Sequence, residues 1–274
     1  MLYLWEIIKS VILGVVQGIT EYLPISSTGH MILVNEFLHL NFDSDFVNTF
    51  FVVIQLGSIM AVVVLYFKKL WPFDFKHTTR SERKKVWILW SKVLVGCIPA
   101  GVVGILFDDF IDAYLYKPMV IALALIIYGI IFIIVESCHI TQSMNTLEDI
   151  DYITAANIGL FQMLALIPGT SRSGSTVIGG RILGVSKEAV SEFSFFMAVP
   201  VMAGATMLKL LKCGFGFNLI QWVVLLIGTL VAFVVSVISI RFLMNYIKKH
   251  DFKAFGVYRI VLGILVIVYF GFIK

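Results

Sequence analysis

Residues 21–30 have the sequence EYLPISSTGH, which places a carboxylate, two serines, a threonine, a glycine and a histidine in an otherwise apolar region. This apolar region extends over residues 6–40, and Pro24 interrupts it near its centre. A proline followed by small polar residues is typical of a point where one helix ends and the next begins. The sequence therefore predicts two short helices joined by a polar break.

A second region, residues 152–184, has the same organisation and is interrupted at PGTSRSGST, residues 168–176. A shift of 145 residues (171 − 26) aligns Ser26 with Ser171, Gly29 with Gly174 and Gln17 with Gln162. Irregular backbone at membrane depth is tolerated only where it is buried in protein or lines a wet cavity. We therefore predict that both regions are re-entrant helical hairpins. The alternative is that each region forms two ordinary kinked spans.

The composition assigns the chain to the membrane proteins. Of its 274 residues, 59% are hydrophobic and 14% are charged, whereas a soluble domain has about half apolar and about a quarter charged residues. The three cysteines, Cys97, Cys138 and Cys213, suggest neither a disulfide framework nor a zinc site. We predict an all-α polytopic membrane protein with one membrane domain, residues 1–274. Its six transmembrane helices are expected at 46–67, 86–107, 118–136, 193–211, 219–244 and 254–273.

The 145-residue shift also divides the chain into two halves, 1–137 and 152–274, each with one hairpin and three spans. An odd number of spans gives the two halves opposite orientations in the membrane, which is an inverted-topology repeat. Such repeats place a site near the bilayer midplane, where the two broken elements meet.

Loop charges predict the orientation. The loops 68–85 and 248–253 are basic and are expected inside, whereas the acidic loop 108–114 is expected outside. Lys209 and Lys212 weakly oppose this scheme. On balance the first hairpin enters from outside and both termini lie outside.

Arg172 is the first candidate functional residue, because an unpaired charge in an apolar environment is costly and requires an anionic partner. Its planar guanidinium suits a phosphate group. Nearby hydroxyls, glycines that permit close backbone approach, and the free N–H groups of a helix start complete an anion site. The alternative is a structural pair with a buried carboxylate. The candidate substrate-binding residues are Ser26, Thr28, Ser171, Ser173, Gly174 and Thr176.

Glu21 follows Gln17 by four residues, so both side chains lie on one helical face. A carboxylate with an amide oxygen suits a hard divalent cation such as Mg²⁺ or Ca²⁺. Glu21 could instead act as a general base, or serve only as the counter-ion of Arg172.

Ser26 is expected to cap the helix that follows the first break. Ser27 aligns with Arg172 in the repeat, which favours a role as nucleophile. His30 lies one turn further on and could carry a proton at neutral pH. The simpler alternative for a lone histidine is a structural role.

The motifs QGITE, SSTGH and PGTSRSGST resemble the signatures of the undecaprenyl-diphosphatase family of bacterial membrane phosphatases, and the resemblance extends over essentially the whole chain. It implies removal of the terminal phosphate from undecaprenyl diphosphate, recycling of the lipid carrier for peptidoglycan synthesis, resistance to bacitracin, and a divalent cation. It also implies that Arg172, Ser171 and Ser173 bind the diphosphate and that Glu21 holds the metal or activates the nucleophile. Ser27 would attack while His30 shuttles the proton, or Ser27 would only bind while a metal-bound water attacks.

A different class of function is a transporter, because inverted repeats with broken helices are a transporter design. Such a protein would flip a polyprenyl phosphate or carry an anion. A membrane scaffold would leave the polar hairpins unexplained.

We expect a polyprenyl diphosphate and membrane lipids as partners, no nucleic acid, and a bacterial cell membrane location with the site open to the outer side. The sequence allows a homodimer.

Overall fold

The computed structural model describes residues 2–74, 77–138, 140–214 and 216–273, so residues 75 and 76 of the predicted basic loop lie outside the described residues. These residues form helices and connecting loops, with no strand beyond one isolated bridge between Met144 and Val185. A 3₁₀ turn covers Leu164–Leu166, and a π-helical turn covers Tyr269–Ile273. The α-helices are α1 (Leu2–Thr20), α2 (Ser27–Leu38), α3 (Ser44–Leu65), α4 (Phe67–Leu70), α5 (Arg80–Tyr114), α6 (Pro118–Ser137), α7 (Tyr152–Met163), α8 (Arg172–Ile182), α9 (Lys187–Cys213), α10 (Leu219–Ile247) and α11 (Lys253–Val268).

The chain is a multi-pass membrane protein. Among the described residues, seven helices are long and apolar enough to cross a bilayer. Six of them, α3, α5, α6, α9, α10 and α11, correspond to the predicted spans. The seventh is α1, which begins at Leu2, before the predicted apolar region 6–40, and is long enough by length and composition to cross a bilayer. The re-entrant paths of the two hairpins stay predictions.

The early start of α1 has a physical cause in two charged residues that neutralise each other inside the helix. The Lys9 ammonium donates to the Glu6 carboxylate at 2.8 Å and to the carbonyl of His39 at 2.6 Å. The same carboxylate accepts hydrogen bonds from the backbone and side-chain nitrogens of Asn41. Because both charges are paired and hydrogen-bonded, α1 can extend through them to Leu2.

The two polar breaks have matching local geometry. Ser26 precedes α2 with φ of 75°, and Ser171 precedes α8 with φ of 77°. Each hydroxyl caps its helix, since Ser26 Oγ accepts from Gly29 N and Ser171 Oγ accepts from Gly174 N. A positive φ is unfavourable for a residue with a side chain, so the surrounding structure must hold both serines in place.

The packing of the helices follows the same correspondence. Helix α1 packs on α2 and α10, while its counterpart α7 packs on α8 and α5. Helices α3 and α9 pack on each other, as do α6 and α11. This pattern agrees with two similar halves, whereas their opposite orientation in the membrane stays a prediction. The contact between α5 and α7 is closest at two glycines, because a Cβ on Gly159 would lie 2.2 Å from the carbonyl oxygen of Gly96.

Candidate active site

The two breaks meet at a cavity of about 170 Å³. The amino-terminal ends of α2 and α8 both lie at this cavity, and neither helix has an acidic residue in its first turn. Two helix starts therefore direct unpaired N–H groups and positive dipole ends towards the same space. The polar residues that line it are Glu21, Ser26, Ser27, Thr28, Gln55, Gln162, Ser171 and Arg172.

Glu21 is the centre of the hydrogen-bond network. Its Oε1 accepts from Arg172 Nη2 at 3.0 Å, and its Oε2 accepts from Gln17 Nε2 and Ser27 Oγ, both at 2.8 Å. The Glu21 side chain is only 3% exposed and follows the carboxyl-terminal end of α1, where a negative charge is unfavourable. Glu21 therefore needs the guanidinium that the second break supplies.

Arg172 is held from two sides. Nη1 donates to the carbonyl oxygen of Ser194 at 2.7 Å and to its hydroxyl at 3.2 Å, while Nη2 binds Glu21. The remaining donor, Nε, has no hydrogen-bond partner in the described part of the chain. Glu21 is thus the anionic partner that Arg172 requires.

Three of the predicted substrate-binding residues lie behind the cavity wall. Ser173 Oγ donates to the carbonyl oxygens of Glu21 and Leu23, at 3.2 and 3.3 Å. The backbone nitrogen of Gly174 donates to the Ser171 hydroxyl, and Thr176 Oγ1 shares a hydrogen bond of 2.6 Å with Ser194 Oγ. These contacts tie α8 to the first break and to α9. Their role as substrate ligands stays a prediction.

His30 is engaged by protein groups at both ring nitrogens. Nδ1 lies 2.7 Å from the carbonyl oxygen of Ser26, so this nitrogen carries a hydrogen, and Nε2 lies 2.7 Å from the hydroxyl of Tyr258. The two rings stack with centroids 5.6 Å apart. The histidine thereby helps to hold Ser26 in its strained conformation. Proton transfer by His30 stays a prediction.

Sequence reasoning missed Arg259, which connects the two breaks directly. This residue of α11 is fully buried, and it donates to the carbonyl oxygens of Pro24, Gly169 and Thr170 at 2.8–3.0 Å. Its guanidinium also lies over the rings of Tyr128 and Phe132. The sequence did contain a signal for Arg259, because this arginine lies inside the predicted span 254–273. A charge at membrane depth usually marks a functional site.

Ser194 and Tyr258 were also missed. The first positions Arg172 from α9, and the second positions His30 from α11. A serine or a tyrosine in a membrane helix is common, and neither belongs to a polar motif in this sequence. These two roles follow from tertiary packing alone.

The residues around Glu21 fit one hard divalent cation in part. The described residues contain no group of three or more His, Cys, Asp and Glu side chains that could hold a metal. However, Gln17 Oε1 is buried without a hydrogen-bond partner next to the Glu21 carboxylate. A carboxylate, an amide oxygen and the Ser27 hydroxyl are ligands of the type that Mg²⁺ and Ca²⁺ prefer.

The sequence is similar to known proteins over nearly its whole length. The family model described as "Bacitracin resistance protein BacA" matches residues 10–265. The chain is 57% identical over 267 residues to undecaprenyl-diphosphatase 1 of Clostridioides difficile, covering 97% of both chains. It is 57% identical over 265 residues to an undecaprenyl-diphosphatase of Enterococcus faecalis, covering 96% of both chains. It is 52% identical over 273 residues to an undecaprenyl-diphosphatase of Lactiplantibacillus plantarum, covering 98% of this chain and 99% of the relative.

Proposed function

The chain belongs to the bacitracin resistance protein BacA family, and we propose that it is a membrane phosphatase that converts undecaprenyl diphosphate to undecaprenyl phosphate and orthophosphate. The observation that carries this proposal is the Arg172–Glu21–Ser27 network at the meeting point of two helix starts. The reaction would recycle the lipid carrier of peptidoglycan synthesis and remove the target of bacitracin. A flippase or anion transporter built on the same repeat is less favoured, since the relatives are named diphosphatases.

We place the protein in the bacterial cell membrane, with the site open to the outer side. The support for this orientation is the excess of Lys and Arg in the loops 68–85 and 248–253. The homodimer stays a prediction.

Binding of the diphosphate uses positive charge and N–H donors. Arg172 lines the cavity, and the N–H groups at the starts of α2 and α8 that the Ser26 and Ser171 caps leave free are proposed to bind phosphate oxygens. The hydroxyls of Thr28 and Ser171 line the same cavity. Phosphoryl transfer depends mainly on positioning and on neutralising charge on the equatorial oxygens, and this arrangement supplies both.

The proposed chemical step starts from the hydrogen bond between Ser27 Oγ and Glu21 Oε2 at 2.8 Å. Glu21 accepts the hydroxyl proton as Ser27 Oγ forms a bond to the terminal phosphorus, and the bond from that phosphorus to the bridging oxygen breaks. Undecaprenyl phosphate leaves with the bonding electrons. Water then cleaves the phosphoserine to release orthophosphate. In the alternative route a water attacks the phosphorus directly, and Ser27 only orients the diphosphate.

We propose that a divalent cation is held by Glu21 and Gln17, with Ser27 next to it. When bound, it supplies charge neutralisation for the diphosphate. The ion pair to Arg172 fixes the Glu21 carboxylate beside Gln17 and Ser27, where both proposed roles require it. His30, bonded to Tyr258, is proposed to hold Ser26 in place and so to position the adjacent Ser27 against Glu21.

The proposed function predicts that the purified protein releases orthophosphate from farnesyl diphosphate in detergent, where the two sides of a membrane no longer exist. Because the cation neutralises the diphosphate, we expect EDTA to lower the rate by at least about 100-fold, and Mg²⁺ or Ca²⁺ to restore it. A colorimetric phosphate assay measures both effects. A pure transporter would release no phosphate, and full activity in EDTA would exclude the cation.

Ser27→Ala tests the covalent route. If Ser27 is the nucleophile, we expect phosphate release to fall by about 1,000-fold, and rapid quenching with substrate labelled in the terminal phosphate should give wild-type protein phosphorylated at Ser27. Ser137→Ala is the control, because this exposed serine of α6 bonds only its own helix, at Ile133 O. Near-normal turnover in folded Ser27→Ala would favour direct attack by water.

A further inference from the structure

A row of exposed aromatic rings lies where α4 meets the first turns of α5. Phe67 and Trp71 stack with ring centroids 5.3 Å apart. Phe73 contacts Trp71 at 5.3 Å and Trp87 of α5 at 5.7 Å. All four residues are about half exposed, and we call them the aromatic row. Contiguous exposed apolar surface of this kind usually marks a site of interaction.

Two contacts hold the aromatic row against the helix bundle. The indole nitrogen of Trp90 in α5 donates to the carbonyl oxygen of Leu70 at 2.8 Å. Lys69 Nζ donates to both carboxylate oxygens of Glu192 in α9, at 2.7 and 3.0 Å. Helix α4 is therefore tied to α5 and to α9, and the arrangement of the rings does not depend on a ligand.

Two cations lie on the same face of α5 as Trp87. Lys84 follows Arg80 by four residues and precedes Trp87 by three, which are the spacings of neighbours on one helical face. Arg80 and Lys84 are exposed, and neither forms an ion pair with a described residue. Residues 67–88 contain seven Lys or Arg residues and two Asp or Glu residues. This surface is therefore positively charged and suits an anionic ligand.

The length of α5 places this surface at the level of the lipid headgroups. The apolar span Arg80–Phe107 has 28 residues, which corresponds to about 42 Å of helix. A bilayer with its headgroup regions is about 40–45 Å thick. Arg80 and Lys84 then lie among the headgroups. Trp87 is about 10 Å further along the helix than Arg80, near the boundary with the hydrocarbon, where tryptophan is enriched.

We propose that the aromatic row, together with Arg80 and Lys84, binds an anionic phospholipid such as phosphatidylglycerol. The two cations bind the lipid phosphate, and the indoles of Trp71 and Trp87 pack against the glycerol and the upper part of the acyl chains. The depth of the surface in the bilayer favours a lipid over a soluble acidic protein. This binding is independent of the proposed phosphatase reaction.

Native mass spectrometry of the purified protein, titrated with phosphatidylglycerol in detergent, tests this surface. We expect the double variant Arg80→Gln/Lys84→Gln to raise the Kd of the tightest phosphatidylglycerol site by at least about tenfold, because both cations near the phosphate are lost. Trp87→Ala should raise it by about fivefold. In wild-type protein, phosphatidylcholine should bind at least about tenfold more weakly, because it has no net charge.

The matched control is Lys248→Gln/Lys249→Gln, which removes two exposed cations from the other basic loop. We expect its Kd to stay within about twofold of wild type, because general surface charge is screened by salt. An unchanged Kd in Arg80→Gln/Lys84→Gln, or an equal rise in the control, would overturn the proposal. So would a change from dimer to monomer in Arg80→Gln/Lys84→Gln with normal lipid binding, which would assign the surface to a second copy of the chain.

Photolabelling of wild-type protein tests the site without any variant. We expect a phosphatidylglycerol with a diazirine near its glycerol to label residues 67–88. Excess unlabelled phosphatidylglycerol should prevent this labelling, whereas phosphatidylcholine and inorganic phosphate should not. Labelling confined to other segments would contradict the proposal, and protection by inorganic phosphate would show a site for free anions instead of a lipid site.

Discussion

Arg172→Lys is expected to reduce phosphate release by about 1,000-fold although the positive charge is retained. The guanidinium binds Ser194 with one terminal nitrogen and Glu21 with the other, and Arg172 also lines the cavity proposed to hold the diphosphate. A lysine ammonium is a single point that cannot reach all three positions. We therefore expect kcat to fall more than KM rises, because the missing contacts are those that organise the reacting phosphate.

The matched control for this prediction is Arg181→Lys on the same helix. Arg181 is also buried and paired, with Nε donating to Glu136 at 3.0 Å and Nη1 donating to the carbonyl oxygen of Val185, but it does not line the cavity. We expect this variant to lose thermal stability in detergent and to keep its kcat. Near-wild-type kcat in folded Arg172→Lys would show that Arg172 only balances the charge of Glu21.

The positions of both polar breaks could be predicted from the sequence because their causes are local. Pro24 and Pro168 interrupt apolar helices, and the serines that follow cap the next ones. The 145-residue shift then identified Ser26 and Ser171 as equivalent, and their φ values of 75° and 77° agree with that equivalence. Local chemistry at a helix start leaves a sequence signal that needs no knowledge of the fold.

The start of α1 and the role of Arg259 could not be predicted in the same way. Glu6 and Lys9 are charged residues at the start of an apolar region, and contacts with His39 and Asn41, 30 and 35 residues away in the chain, satisfy both charges. Arg259 is a charge in an apolar span, yet its partners are backbone carbonyls, which every residue type has. No sequence pattern can identify such partners, so this role becomes visible only once α11 is placed beside both breaks.

Arg259→Met is expected to lower both stability and catalysis. It would leave the buried carbonyl oxygens of Pro24, Gly169 and Thr170 without this donor, at a cost of about 1–3 kcal/mol for each one that stays unpaired. We expect the melting temperature in detergent to fall by about 5–10 °C. Because the two breaks would no longer be fixed relative to each other, kcat/KM of the folded fraction should fall by about 100-fold.

A conservative variant separates positioning from stability alone. Arg259→Lys keeps the charge and can bind one or two of the three carbonyls, so we expect it to recover most of the melting temperature and only a small part of kcat/KM. Arg181→Met is the control, since it also removes a buried arginine next to α8 and should lower stability without changing kcat of the folded fraction. If kcat/KM per folded molecule stayed normal in both Arg259 variants, Arg259 would only stabilise the fold. The relative position of Glu21 and Arg172 would then depend on the helix packing around the breaks and not on the guanidinium that connects them.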